Sequence, residues 1–457
     1  MNKRIIAFLV FLVIGWYLPQ VPANAAPLSC QSNFENGNLA IEGSILSRLQ
    51  QARVSGIDKL WENGINGSGQ TIAVLGAGNF VLSDIDAFKA CNKLSNKLTI
   101  KNVGRKPFES IADPGHGEWI MDIETAMSLA PGADIIFYKA DDIFAALEAA
   151  GNDNEADIIT SSFGSGPQCE ELDKGAIFYN RLDALYKKIA QQGQTMLRGM
   201  GDMGSMACAT KGSNPPDNLT PSIVVGAGSP WVTALSGIVI SQLDPLIAQP
   251  WNSTTNGPGG GSGISIFAPR PAWQNAPGFD STITKRFSPD LVVQSASTII
   301  YRDGNWNAVG GDSMNGPFMS GVLATVAQGC SNGKSDYRLG WINPALYAMA
   351  QDNLGFTDIT TGKNMSFGYG GYEAKIGHDL ASGLGTLDPK SFPVDLCAYV
   401  SKTPRDIYFK SVNSTPSPTP TATKKTVKAI TISCYKGRLL KKVTGVKPVC
   451  PKGYKKK

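Results

Sequence analysis

Between Thr71 and Val225 short apolar runs alternate with stretches of helical spacing, and this alternation restricts the fold more than any other feature of the chain. Thr71-Ile72-Ala73-Val74-Leu75-Gly76 is apolar at consecutive positions, as in a strand buried on both faces. The spacing predicts further strands over 134–139, 157–161, 194–198 and 222–225. It predicts helices over 118–129, 142–150, 176–191 and 318–327. Parallel strands need crossover connections, and helices supply them. The expected fold class is therefore α/β, a doubly wound, mostly parallel sheet with helices on both faces. In such sheets functional sites collect at the carboxyl ends of the strands.

At 457 residues the chain has room for one large core with appendages. Residues 1–26 have the layout of a secretory signal peptide: Lys3 and Arg4, an apolar run from Ile5 to Leu18, and Ala23-Asn24-Ala25 as a cleavage site. The run is short for a bilayer span, so secretion to the extracellular side is expected. Export permits disulfides, and the eight cysteines are an even number. Cys434 and Cys450 are expected to pair within the tail. Residues 27–400 are expected to form one domain, 401–425 a Pro/Thr-rich linker and 426–457 a basic module.

Charge divides the chain. From Lys424 to Lys457 there are 12 Lys or Arg and no Asp or Glu. Setting those and the two cations of the leader apart from the total of 42 leaves 28 Lys or Arg against all 37 Asp and Glu in residues 27–423. An acidic body thus carries a basic tail, and the tail is expected to hold the protein at an anionic cell surface.

One serine stands in a turn built for exposure, Gly310-Gly311-Asp312-Ser313-Met314-Asn315-Gly316-Pro317, before a predicted helix. A serine hydroxyl attacks poorly until a base takes its proton. The chain holds only two histidines, His116 and His378, so a carboxylate is the other candidate base. Glu118 and Asp122 are spaced i, i+4 and share one helix face. Asp202 lies just past a strand in Gly201-Asp202.

Six blocks in order resemble the sedolisins, serine-carboxyl peptidases with a subtilisin-like fold. Glu118 to Ala133 is similar to the family's E-x-x-x-D helix and A-P-G-A. Gly201-Asp202 resembles its G-D turn, and Ser229-Pro230-Trp231-Val232-Thr233-Ala234 its S-P-Y-V-T-A. Gly259-Gly260-Gly261-Ser262-Gly263 and Pro271-Ala272-Trp273-Gln274 resemble its glycine run and P-x-W-Q. Gly311-Asp312-Ser313 with Pro317 resembles G-T-S-x-x-x-P. The likeness covers about residues 54–395. It implies a subtilisin-like sheet and an endopeptidase acting on protein or peptide substrates, as a monomer with no nucleic-acid partner. It makes Ser313 the nucleophile, Glu118 the general base, Asp122 its orienting partner and Asp202 an oxyanion-hole donor. A donating Asp202 must carry a proton, and a glutamate base works best near its own pKa, so acid operation is expected.

The resemblance also implies one structural calcium ion. Asp358 and Asp379 would give side-chain oxygens, and Ile359, Lys375 and Gly377 backbone carbonyls, a set of hard ligands that suits calcium. Lys375 stands where the family has glycine, and Asp312 where it has threonine; a buried carboxyl at 312 would perturb its neighbours' titration. Two alternatives stay open. His116-Gly117 mimics the H-G motif of a Ser-His-Asp subtilisin, although no acid follows the first strand. The chain also suits a catalytically silent binding protein on a peptidase fold.

Overall fold

The consecutive apolar runs are strands of one central sheet. The computed structural model describes residues 46–104, 116–162, 169–171, 175–210, 213–252, 257–295, 297–413, 430–437, 439–445 and 448–456. The signal-peptide segment and most of the Pro/Thr stretch lie outside the described residues. The chain divides into two compact units, Met1–Pro404 and Arg405–Lys457.

In the first unit, helices α1 (Arg48–Ser55) and α2 (Asp58–Glu62) precede β1 (Thr71–Gly76), α3 (Leu82–Asn92) and β2 (Leu98–Asn102). Then come α4 (His116–Leu129), β3 (Asp134–Lys139), α5 (Ile143–Asp153), β4 (Ile158–Ser161), α6 (Gly175–Gln191) and β5 (Thr195–Gly199). Strands β6 (Thr233–Leu243), β7 (Leu246–Pro250), β8 (Gly263–Pro269), β9 (Lys285–Ser288) and β10 (Leu291–Gln294) follow. A hairpin of β11 (Thr298–Arg302) and β12 (Asn305–Val309) leads through a 3-10 turn, Asp312–Met314, into α7 (Asn315–Cys330). The unit closes with α8 (Asn343–Gln351), β13 (Phe356–Thr357), β14 (Thr386–Leu387) and α9 (Phe392–Lys402).

The sheet runs β10-β6-β5-β4-β1-β3-β2, with β7 paired to β6. Every pairing in that order is parallel, and only β7 is antiparallel. Ile72, Ala73, Val74 and Leu75 of β1 are all buried completely. Since side chains alternate between faces, both faces are covered, by α4 with α7 and by α5 with α6. The fold is the expected α/β class.

Helix α4 is buried from Trp119 to Ala130, charged residues included, and it ends where Pro131 offers no donor. Helix α7 is buried from Asn315 to Ala327. It starts three residues before the predicted 318, because Pro317 falls in the first turn, where a missing N–H costs nothing. The two helices meet closely at Gly321, where a Cβ would lie 2.6 Å from Leu129 Cβ and 2.9 Å from the Ala126 carbonyl oxygen.

The predicted strand over 222–225 is corrected. Ser222 and Val224 make only isolated bridges, to Met206 and Cys169. The chain turns at Gly226 (φ 83°) before any ladder forms, and the sheet strand begins at Thr233. Disulfides join Cys169 to Cys208, Cys330 to Cys397 and, as expected, Cys434 to Cys450. Among the described residues no helix is long and apolar enough to cross a membrane.

The second unit begins with α10 (Asp406–Asn413), so a helix stands within the stretch read as linker; residues 405–413 contain no proline to prevent it. It continues with β15 (Ile430–Lys436), β16 (Leu439–Gly445) and β17 (Lys455–Lys456), ordered β16-β15-β17 and antiparallel throughout.

The α4–α7 contact yields a test. Gly321→Ala forces the two buried helices apart, and overpacking of this kind costs about 1–3 kcal/mol. Denaturant unfolding should show a loss of that order; an unchanged midpoint would mean the helices have slack at this contact.

Candidate active site

The carboxyl ends of β1, β4 and β5 open where α4 and α7 begin. Glu118 lies in the first turn of α4, and Asp122 one turn further on. Asp122 is completely buried. Burial, and then the charge of Glu118, push its carboxyl well above the ordinary carboxylate range.

Ser162, just past β4, was not singled out from the sequence, yet it joins the two helices. Its Oγ lies 2.9 and 2.8 Å from the two carboxyl oxygens of Asp122 and 2.9 Å from the Ser313 carbonyl oxygen. One hydroxyl has one proton to give. The count closes when Asp122 is protonated: the acid donates to Ser162 Oγ, and Ser162 donates to the Ser313 carbonyl. That agrees with the raised Asp122 carboxyl. The sequence signal was a serine pair closing an apolar strand.

The serine turn rests on β5. A Cβ at Gly199 would lie 2.8 Å from the Asp312 carbonyl oxygen. Gly311 takes φ 142°, open to glycine, and faces Asp202 across 3.5 Å from the position of a Cβ to Oδ1. The Asp312 backbone N–H donates to Asp202 Oδ1 at 3.0 Å. Ser313 and Asp202 are both partly exposed beside buried neighbours. The structure therefore brings Glu118, Asp122, Asp202 and Ser313 to one end of the sheet.

Asp312 itself points inward and is completely buried. Its Oδ2 accepts from the Gly261 N–H at 2.9 Å and the Ser236 hydroxyl at 3.2 Å, and its Oδ1 accepts from Asn315 Nδ2 at 3.0 Å. Burial, followed by the charge of Asp202, pushes the carboxyl well above its ordinary range despite these donors. Glu124, two residues past Asp122 on α4, is also buried and raised by burial; it accepts from the Tyr301 N–H at 2.8 Å and so holds the β11–β12 hairpin.

His378 is remote in character from a catalytic base. Its ring is buried edge-on against Phe287, 4.6 Å between centroids, and burial with the nearby Arg286 pushes it down to about 3. His116 opens α4; its side chain lies outside the described residues.

The residues expected to hold calcium form one loop cluster. Asp358 Oδ2 accepts from the Gly377 N–H at 2.7 Å. Asp379 is buried and accepts from the N–H groups of Lys375, Ala381 and Ser382, each at 2.8 Å, and from the Ser382 hydroxyl at 3.0 Å. That hydroxyl also lies 3.5 Å from the Ile359 carbonyl oxygen. Among the described residues neither aspartate is in an ion pair. Two carboxylates brought together with no ion pair to either fit a cation. Lys375 has no positive φ, while Gly377 does (φ 76°), so lysine at 375 meets no conformational penalty.

No family model matches the chain. Several curated proteins align with most of it. Sedolisin from Pseudomonas sp. (strain 101) is 28% identical over 339 residues, 69% of this chain and 56% of that protein. Kumamolisin from Bacillus sp. (strain MN-32) is 29% identical over 378 residues, 76% of this chain and 64% of that protein. The chain thus spans less than two thirds of the length of either. A solved structure of Pseudomonas sedolisin, a serine-carboxyl proteinase complexed with pseudo-iodotyrostatin, superposes with a TM-score of 0.62 at 26% identity, covering 74% of this chain and 94% of that one. By sequence and by fold the chain is similar to members of the sedolisin family.

The buried Asp312 gives a test with a definite sign. An acid whose folded pKa is raised stabilises most below its unfolded pKa, about 4, and that contribution is lost as pH rises through the folded value. Asp312→Asn removes the titration and keeps the shape. The variant should resemble wild type near pH 4 and gain on it toward pH 7, by up to about 1.4 kcal/mol for each pH unit between the unfolded and folded values. Parallel stability curves from denaturant unfolding at the two pH values would refute the raised pKa.

Proposed function

We propose that this protein is a secreted, acid-acting serine-carboxyl endopeptidase. What carries the reading is one hydroxyl, Ser162, whose hydrogen bonds tie Asp122 of α4 to the Ser313 backbone. In this mechanism the Glu118 carboxylate takes the Ser313 proton as Oγ attacks the scissile carbonyl carbon. Asp122 orients Glu118 from one turn away. The carbonyl oxygen gains negative charge in the tetrahedral intermediate, and a protonated Asp202 donates a hydrogen bond to it. Collapse breaks the C–N bond, and Glu118 returns the proton to the leaving amine. Water, activated by the same glutamate, then releases the acyl group from Ser313.

The acid range follows from two opposed needs. Glu118 must be ionised to accept a proton, and Asp202 must be neutral to donate one, so activity falls away on both sides of a window at low pH. Ser313→Ala and Glu118→Gln should each abolish hydrolysis of a denatured protein at pH 4, with folding intact by circular dichroism. Asp202→Ala should lose about 10²–10³ in rate, and Asp202→Asn, still a donor, should lose less. His116→Ala should keep most of the activity. A folded but inactive His116→Ala would point to a subtilisin-type base instead, and a wild type without turnover at any pH to a silent binding protein.

We also infer that the loop bearing Asp358 and Asp379 holds one structural calcium ion, with the carbonyls of Ile359, Lys375 and Gly377. An ion bound only by the native state stabilises it by RT ln(1 + [L]/Kd). The melting temperature should rise with added calcium and fall in chelator. Asp358→Ala with Asp379→Ala should abolish both responses. A melting temperature indifferent to calcium over the millimolar range, after exhaustive chelation, overturns the site.

A further inference from the structure

The C-terminal module carries a surface that the peptidase reading leaves unused. Strands β15 and β16 pair in register, Cys434 with Lys441, Tyr435 with Leu440 and Lys436 with Leu439. Strand β17 adds to the free edge of β15, setting Lys455 beside Tyr435 and Lys456 beside Cys434. One face is covered around the disulfide: Ile432 and Cys434 are buried, Cys434 is bonded to Cys450, and a Cβ at Gly453 would lie 3.6 Å from Lys436 Nζ. On the other face Tyr435 and Leu440 stand opposite each other, with Lys455 beside Tyr435 and Lys442 two residues beyond Leu440.

The hairpin end departs from what solubility alone requires. Leu439 and Leu440 open β16 just after the turn at Gly437 (φ 61°). Successive side chains point to opposite faces, so each face shows one leucine at the tip. Both are exposed, at 62% and 54%. The next two residues, Lys441 and Lys442, are again one per face and exposed. On either face a leucine at the end is thus followed, two residues back, by a lysine. Two residues of strand span about 7 Å, comparable with the roughly 5–10 Å depth of the boundary between headgroups and acyl chains. Residues 424–457 contain no acid to pair with these cations.

We propose that this module docks onto an anionic lipid bilayer with the hairpin tip leading. Leu439 and Leu440 enter the acyl boundary, and Lys441, Lys442 and Lys455 meet lipid phosphates. A purely anionic polymer would need the lysines alone, whereas exposed leucines on both faces of a tip gain only where an apolar phase lies beneath the charge. The proposal does not rest on the peptidase reading, since binding is measured without turnover.

The test is co-sedimentation of the full chain with vesicles at fixed salt, beside polyphosphate-coated beads. The full chain should bind phosphatidylglycerol–phosphatidylcholine vesicles and ignore pure phosphatidylcholine. Leu439→Ser with Leu440→Ser should weaken vesicle binding about tenfold or more and leave bead binding unchanged. Lys441→Gln with Lys442→Gln should weaken both, because each Lys near an anionic surface contributes about a fivefold factor. The leucines are exposed, so their loss spares the fold; the Cys434–Cys450 bond, followed by mass under non-reducing conditions, checks this. Equal vesicle binding by the leucine variant, or bead binding by wild type without vesicle binding, overturns the lipid assignment, the latter in favour of an anionic polymer.

Discussion

Two helices buried along nearly their whole length, α4 and α7, touch where Gly321 meets Ala126 and Leu129. The candidate site depends on that contact. Glu118 and Asp122 project from one helix, and Ser313 immediately precedes the other. A second close approach, with a Cβ at Gly316 falling 2.3 Å from Thr160 Oγ1, presses the start of α7 onto β4. The candidate groups are thus held by backbone packing, and long flexible side chains have little part in it. That matters for chemistry in which a displacement of 1 Å can cost about 10²-fold in rate.

Packing this tight has an electrostatic consequence. Asp122, Glu124 and Asp312 have no exposure at all, and burial raises all three. Glu170, which accepts from the Ser265 hydroxyl and the Ile266 N–H, is raised to about 7 by the same cause. An isolated buried charge costs far more than a hydrogen bond returns. These acids are therefore at ease when protonated, and each gives stability below about pH 4 that is lost as pH rises through its folded pKa. Fold stability therefore favours acid conditions, and the cause is desolvation.

Much of the body could be read from sequence because parallel strands are written as consecutive apolar residues. Thr71–Gly76 and Asp134–Lys139 are of that kind. The run Ile223-Val224-Val225 looked the same and misled, since apolar character alone does not supply a neighbouring strand. Only the start of the strand Thr233–Leu243 is legible, through the resemblance of Ser229–Ala234, because Thr233, Ser236 and Gly237 interrupt the apolar pattern although all three are buried. At the site, the i, i+4 spacing of Glu118 and Asp122 was legible because it is local. Ser162 was not, because its partners Asp122 and Ser313 lie 40 and 151 residues away. The same holds for Asp312, whose inward direction is set by Gly261 and Ser236, 51 and 76 residues distant.

Strand β10 links the loop of Asp379 to the turn that carries Ser313. At its start, the Leu384 N–H donates to the Asp290 carbonyl, and the Asp290 carboxylate takes up Arg286, the Ala234 N–H, Asn343 and Tyr347. At its end, the Ser295 carbonyl accepts from the Gly311 N–H at 2.9 Å, two residues before Ser313, and the Ser295 hydroxyl bonds Asn315. The strand is short, fully buried and paired in parallel with β6. It therefore has little freedom to yield between its ends. A cation that fixes the loop of Asp379 would act on one end of a stiff element whose other end sets Gly311 and Asn315. The loop lies apart from the candidate site, and its contribution there would be the register of β10 against β6.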